Sequence, residues 1–356
     1  MKICLFTSSL NRGGAERVFV NLANYWHTAG HEVDFVVLST GGTLREELDA
    51  GVQLIDLREH YNRMPVRFAS IFAFAKYLKA ARPDRVFATL TYVTITALWA
   101  RKLAGYTGRL IVRQANSLSN QSSQSLPVRI WNWIGYHLAY RWADIILVNS
   151  KNSEAEVAEM LPSLKSKLKL VYNPVIIGDF ISVKTPKEAP VILSSGRFAR
   201  QKDFPTLLRA FKIIRERCEA HLIMLGDGPD RKQIEEQIRE LGLVEHVTLK
   251  GYVSDPGTYY QEADVFVLTS LWEGFPNVLV EALAAGTAVV ATDGRGGSRE
   301  IVESILPDNI VEVGNAQQVA DRVCETLEAM PSGVTLKNYV SSRFALPIIA
   351  EQYLKL

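Results

Sequence analysis

The sequence predicts an α/β protein made of two doubly wound parallel sheets in tandem. Three observations predict it. Short apolar runs of strand length alternate with helical stretches from Lys2 onward, as sheets buried on both faces require. The alternation stops once, over 172–190, in a Pro-, Gly- and Lys-rich stretch beginning Tyr172-Asn-Pro-Val, and then restarts. Finally, 356 residues suffice for two domains, each with its own core. The expected boundaries are 1–172 and 190–356 around a linker at 173–189, with the last helix able to return to the first domain.

In the first domain, strands are expected over 2–8, 32–38, 53–57, 85–88, 110–112, 145–148 and 168–171. Helices are expected from about Gly13 to Gly30 and over 65–81, 93–104, 126–141 and 151–160. The second domain repeats the pattern, with strands at 190–195, 220–225, 246–250, 265–269, 288–291 and 309–313. Its helices fall at 204–217, 230–241, 277–285, near Ser298 and at the chain end. Both sheets point their ligand-binding edges into a shared cleft if the linker folds them together.

The composition, 47% hydrophobic and 22% charged, is that of a soluble globular chain, without low-complexity tracts. Net charge is +2 but unevenly placed: residues 1–180 carry +7 and 181–356 carry −5. Within 58–141 there are 13 basic residues against Glu59 and Asp84, which suggests an anionic partner such as a membrane surface. No nucleic-acid recognition motif accompanies the basic segment, so no nucleic-acid partner is expected. Two helical stretches in it, 65–82 and 126–142, mix Phe, Trp and Tyr with Lys and Arg, a combination suited to a lipid headgroup layer.

Cys4, Cys218 and Cys324 fit no metal or redox spacing and read as buried thiols of a reducing compartment. No apolar run reaches the ~18 residues of a membrane span. The expected location is cytoplasmic, free or peripheral on the cytoplasmic face of a membrane.

The chemistry concentrates in 265–292. A strand there feeds a helix through Trp272-Glu-Gly-Phe-Pro-Asn277, and the exposed N–H groups of such a helix start attract phosphate. Glu273 in the loop and Glu281 in the helix cannot bind phosphate, but carboxylates accept hydrogen bonds from sugar hydroxyls. Arg197 and Lys202 lie in a loop on the same expected sheet edge and make a diphosphate clamp. Gly13 and Gly14 permit close backbone approach at the first helix start. Gly-x-Gly-x-x-Gly is absent after the first strand, which removes the main support for a nicotinamide cofactor.

Gly13-Gly-Ala-Glu16, Gly196-Arg197 with Lys202, Gly226-Asp-Gly-Pro229, Gly251-Tyr-Val253 and Glu273-Gly-Phe-Pro-Asn277 with Glu281 together resemble family 4 of the GT-B glycosyltransferases. The resemblance spans nearly the whole chain. It implies two Rossmann-like domains facing a central cleft, a UDP-sugar donor held by the second, a saccharide acceptor held by the first, and transfer with retention of anomeric configuration. On this chain it assigns Arg197 and Lys202 to the donor diphosphate and Glu281 to the ribose. Glu273 and the backbone of Gly274, Phe275, Pro276 and Asn277 fall to the sugar hydroxyls, and the N–H groups of Val278 and Leu279 to the terminal phosphate. Tyr252 and Val253 would lie by the base, with Gly13 and Gly14 closing over the phosphates. Arg197, Lys202 and Glu273 are the expected catalytic residues.

The chain has no Asp-x-Asp triplet, so neither a metal nor another cofactor is expected. Where many relatives carry an acceptor-site histidine, this chain reads Arg113-Gln-Ala-Asn116, which makes Arg113 and Asn116 the candidate acceptor contacts. The charge and aromatic pattern favours a lipid-linked, diphosphate-bearing acceptor in envelope glycan assembly. A nucleotide-sugar epimerase of the same architecture and a non-catalytic nucleotide-sugar binder are the alternatives.

Overall fold

Residues 2–9 read Lys-Ile-Cys-Leu-Phe-Thr-Ser-Ser, and their side chains alternate between two separate apolar layers. Cys4 and Phe6 enter one core with Phe74 and Val86, while Ile3 and Leu5 enter another with Trp26, Phe35 and Phe87. A strand covered on both faces must be apolar throughout, which is why the segment reads as one unbroken run. The computed structural model describes residues 1–11, 13–60, 66–114, 126–178 and 189–356. The chain divides into two units, Met1–Pro174 with Leu346–Leu356, and Val175–Ala345.

The first unit contains β1 (Lys2–Ser9), α1 (Gly14–Thr28), β2 (Glu32–Ser39), β3 (Gln53–Asp56), α2 (Val66–Ala81), β4 (Arg85–Thr89) and α3 (Thr91–Ala104). It continues through β5 (Arg109–Gln114), α4 (Leu126–Leu138), β6 (Ile145–Val148), α5 (Lys151–Met160) and β7 (Leu168–Leu170). Its sheet is parallel, in the order β3-β2-β1-β4-β5-β6-β7. Chain order reverses between β1 and β4, where doubly wound sheets bind ligands. The helix expected over 126–141 is interrupted: α4 ends at Leu138 and a 3-10 turn covers Ala139–Trp142. That turn buries Tyr140, whose hydroxyl reaches Gln114 and Thr94.

The second unit contains β8 (Val191–Ser195), α6 (Phe204–Arg215), β9 (His221–Leu225), α7 (Arg231–Glu240), β10 (Val247–Gly251), α8 (Gly257–Glu262), β11 (Val265–Leu268) and α9 (Asn277–Ala284). Then come β12 (Ala288–Thr292), α10 (Ser298–Val302), β13 (Ile310–Val311), α11 (Ala316–Ala329) and α12 (Gly333–Phe344). The sheet is parallel, ordered β10-β9-β8-β11-β12-β13. Helix α8 was not expected, because a single turn of Gly-Thr-Tyr-Tyr-Gln-Glu has no apolar periodicity to read.

The last helix, α13 (Leu346–Lys355), belongs to the first unit, where Tyr353 packs on Trp26 and Phe87. The expected linker is shorter at its start, since Val175 bridges Ala345 within the second unit, and its central part, 179–188, lies outside the described residues. Only Cys4 is fully buried; Cys218 and Cys324 are half-buried, short of the expectation of three buried thiols. Among the described residues no helix is long and apolar enough to cross a membrane.

Candidate functional site

In the second unit β8 pairs with β9 on one side and β11 on the other, so the order reverses there and the loops leaving β8 and β11 emerge together. Hydrogen bonds stitch them. Thr269 Oγ1 donates to the carbonyls of Lys202 (3.0 Å) and Asp203 (3.1 Å), and the Leu271 N–H donates to the Gln201 carbonyl at 2.8 Å. Gln201 Nε2 donates to the Trp272 carbonyl at 2.8 Å.

These bonds bring Lys202 and Glu273 together. Lys202 Nζ lies 2.6 Å from Glu273 Oε1, with the two side chains only 14% and 10% exposed. Ser270 Oγ donates to the same carboxylate oxygen at 2.6 Å, and Gln201 Nε2 reaches Oε2 at 3.4 Å. A third loop, after β12, closes the arrangement. The Glu273 N–H donates to the Arg295 carbonyl, and Gly297 N–H to the Gly274 carbonyl. Gly296 has φ +128°, and a Cβ there would lie 2.1 Å from the Glu273 carbonyl oxygen, so only glycine fits.

Arg197 differs from Lys202. Phe198 beside it is fully buried and its N–H bonds the Asp227 carbonyl, which anchors the loop and leaves Arg197 exposed. Among the described residues Arg197 has no ion-pair or hydrogen-bond partner. The loop thus offers the exposed cations Arg197 and Arg200, and Lys202 held in a buried pair.

After Glu273, Phe275 and Pro276 are buried and lead into α9. Its N-cap side chain makes no capping bond and its first turn holds no acid, so neither offsets its positive end. Val278 and Leu279 sit in this first turn. Glu281, one turn on, accepts a hydrogen bond from the Tyr260 hydroxyl at 2.9 Å. Tyr260 is itself buried against Phe266, so the carboxylate is oriented by a fixed donor. Tyr252 is exposed and Val253 half-buried just after β10.

In the first unit Gly13 precedes α1 with no side-chain cap. The space in front of it is taken by Glu16: a Cβ on Gly13 would lie 2.0 Å from Glu16 Oε2. Glycine here therefore makes room for a carboxylate of the same helix. Burial pushes the Glu16 carboxyl above the usual glutamate range, against the pull of its own N–H and of the Arg113 charge.

Arg113, a candidate acceptor contact, is 1% exposed. Its guanidinium donates to Tyr353 Oη (3.1 Å), Thr89 Oγ1 (3.1 Å) and Asn173 Oδ1 (2.5 Å). The expectation of direct acceptor contact is corrected here, because β5 runs through Gln114 and carries Arg113 into the interior, where these partners occupy it. Asn116, the other candidate, lies outside the described residues. Residues the motifs did not single out are Gln201, Ser270, Tyr260 and the Gly294–Gly297 loop. The last was signalled by its Gly-Arg-Gly-Gly composition directly after a strand.

The model of the glycosyl transferases group 1 family matches residues 157–341, just over half of the chain. The chain belongs to that family. Residues 12–178 match the model of glycosyltransferase family 4. This glycosyltransferase is 28% identical over 350 residues to a Campylobacter jejuni N-acetylgalactosamine-N,N'-diacetylbacillosaminyl-diphospho-undecaprenol 4-alpha-N-acetylgalactosaminyltransferase, covering 96% of this chain and 94% of the relative. A second C. jejuni enzyme, named as an alpha-1,4-N-acetyl-D-galactosaminyltransferase acting on a GalNAc-alpha-(1->4)-GalNAc-alpha-(1->3)-diNAcBac-PP-undecaprenol, is 26% identical and covers 100% of this chain and 98% of its own. The fold is that of Anabaena HepE in its complex with UDP (TM-score 0.81, 21% identity, 100% and 99% of the chains). It is also that of the lipopolysaccharide outer core galactosyltransferase WaaB (TM-score 0.77, 21% identity, 100% and 98%). The glycosyltransferase thus has the GT-B fold, with two Rossmann-like domains.

Proposed function

We propose that this glycosyltransferase moves a hexose or N-acetylhexosamine from a UDP-sugar to a hydroxyl of a lipid-diphosphate-linked saccharide, with retention and without a metal. The observation that carries the reading is the edge of the second sheet. There an exposed Arg197, a Lys202 fixed by Glu273 and the uncapped start of α9 share one pair of stitched loops.

Glycosyl transfer is limited by charge that develops on a departing diphosphate while the sugar becomes cationic. Fixed cations and N–H dipoles stabilise that charge without reorganising. Arg197 can chelate diphosphate oxygens bidentately, and the ammonium of Lys202 keeps further N–H donors for a phosphate while paired. Val278 and Leu279 present their backbone to the terminal phosphate, and Gly274 to Asn277 line the sugar. Glu281, steadied by Tyr260, takes the ribose hydroxyls, and Tyr252 and Val253 flank the base. The family resemblance assigns Gly13 and Gly14 of the first unit to the phosphates as well.

In the proposed step the acceptor oxygen bonds to the anomeric carbon on the face that the phosphate leaves. The carbon–phosphate oxygen bond breaks, and the acceptor proton passes to the leaving phosphate oxygen. Glu273 already accepts from Lys202 and Ser270, so it suits sugar positioning better than the free acid–base work an epimerase needs. Retention is supported by the alpha linkages in the names of both Campylobacter relatives, the configuration that retention gives from an alpha-linked donor. Those names also supply the lipid diphosphate.

The experiment is UDP release from a panel of UDP-sugars with and without undecaprenyl-diphosphate saccharides, in buffer containing a chelator. Acceptor-dependent release giving an alpha-linked product by NMR supports the reading. A beta-linked product removes retention, loss of turnover in chelator removes metal independence, and sugar isomerisation without transfer makes the protein an epimerase.

A further inference from the structure

Helices α2 and α4 each bury one face and leave the other bare. Phe74 and Leu78 of α2 and Tyr136 of α4 enter the first unit's core. On the opposite side Phe68 and Phe72, one turn apart on α2, are each 53% exposed, while on α4 Ile130 is 51% and Trp133 61% exposed. The two faces are continuous, because the Phe68 ring meets the Trp131 ring edge-on with centroids 6.4 Å apart. Four large apolar side chains held in the open on two adjoining helices mark a contact surface.

The charges around them say what it contacts. Lys76, Lys79 and Arg82 follow the phenylalanines, and Arg129 and Arg141 flank the α4 cluster, all exposed. Neither α2, α3 nor α4 contains an aspartate or glutamate. Protein interfaces mix both signs of charge and deplete lysine at their centres, whereas the charged residues of these helices are all cationic and stand around aromatic tips. That is the pattern of a surface seated in an anionic headgroup layer, with Trp and Phe at the acyl boundary and Lys and Arg reaching lipid phosphates.

We propose that the α2–α4 face is a membrane-docking surface, with Phe68, Phe72, Ile130 and Trp133 entering an anionic bilayer. It gives the lipid-linked acceptor reading its physical setting and rests on that reading for its biological sense. Its test uses no sugar, so the two can fail separately.

The full chain is sedimented with phosphatidylcholine vesicles, with and without phosphatidylglycerol. Binding to the anionic vesicles should exceed binding to the neutral ones at least about tenfold and fall with added salt. Phe72→Ser with Trp133→Ser should lower it about tenfold or more, as should Lys76→Glu with Arg129→Glu, while UDP binding and melting temperature stay at parental values. All four positions are exposed, so folding is not at stake, and retained UDP binding verifies it. Equal binding to both vesicle types, or variants that bind like the parent, would overturn the proposal. So would sedimentation showing that the parent self-associates and that the same substitutions abolish only that association, since the face would then pair copies of this chain.

Discussion

Lys202 and Glu273, 71 residues apart, form a 2.6 Å ion pair at the point where the second sheet reverses its order. The pair joins the loop that presents Arg197 to the loop that leads into α9, adding to the Thr269, Leu271 and Gln201 bonds that hold both halves of the expected diphosphate site together. Removing one member strands the other in a poorly solvated place. Lys202→Met should therefore cost about 3 kcal/mol of stability, the low end for a broken buried pair. The double variant with Glu273→Leu should recover part of the loss. Urea titrations of the four forms measure the coupling, and purely additive costs would show that the pair does not hold the loops.

Glu281 is oriented by Tyr260, and a charged hydrogen bond is worth about 1.5–3 kcal/mol. Glu281→Gln should weaken UDP binding about tenfold or more through the ribose, and Tyr260→Phe by less. The prediction distinguishes ribose from diphosphate recognition: the effect of Glu281→Gln should be smaller for inorganic pyrophosphate used as a competitor. An equal loss for pyrophosphate would place Glu281 elsewhere.

Arg113 connects α13 to the ends of β4 and β5. Tyr353→Phe leaves one guanidinium N–H without its acceptor in a dry interior, at a cost of about 1–3 kcal/mol. Because the partner residues all lie inside the first unit, UDP affinity should be unchanged while the melting temperature falls. A shift in UDP affinity with no change in melting would mean that Arg113 serves the ligand directly.

Glu16 predicts a pH effect. Its carboxyl is raised by burial, so the folded chain holds the proton more tightly than the unfolded chain. Its contribution to stability is present in acid, below the ordinary glutamate range, and is lost as pH rises through the raised folded value. Glu16→Gln should thus melt higher than the parent at neutral pH, with the difference closing as acid protonates the parent. A difference independent of pH would assign the effect to packing.

Much of this was legible in the residues, and the exceptions have physical reasons. Ile145–Val148 reads as a strand because all four residues are apolar, and the structure buries all four; the two-unit plan follows from one aperiodic gap. The partnership of Lys202 with Glu273 needed sheet order, since only the adjacency of β8 and β11 puts their loops together. Arg113 misled because sequence marked the strand as ending at Val112, whereas pairing with β4 and β6 continues past it. Its partner Tyr353 is 240 residues away, beyond any local signal. Glu16 was read as part of a glycine motif, and only coordinates reveal that its carboxylate fills the space the glycine leaves.

The central claim is that Arg197, Lys202 and the start of α9 hold the diphosphate of the donor, and calorimetric titration of UDP into the parent and into Arg197→Ala tests it most directly. Arg197 is exposed and unpaired among the described residues, so its removal leaves the fold intact and subtracts only its charge from the ligand. The account predicts measurable UDP binding by the parent and a loss of about tenfold or more in the variant, at unchanged melting temperature without nucleotide. Equal affinity in the two proteins, or a parent that does not bind UDP, would contradict it.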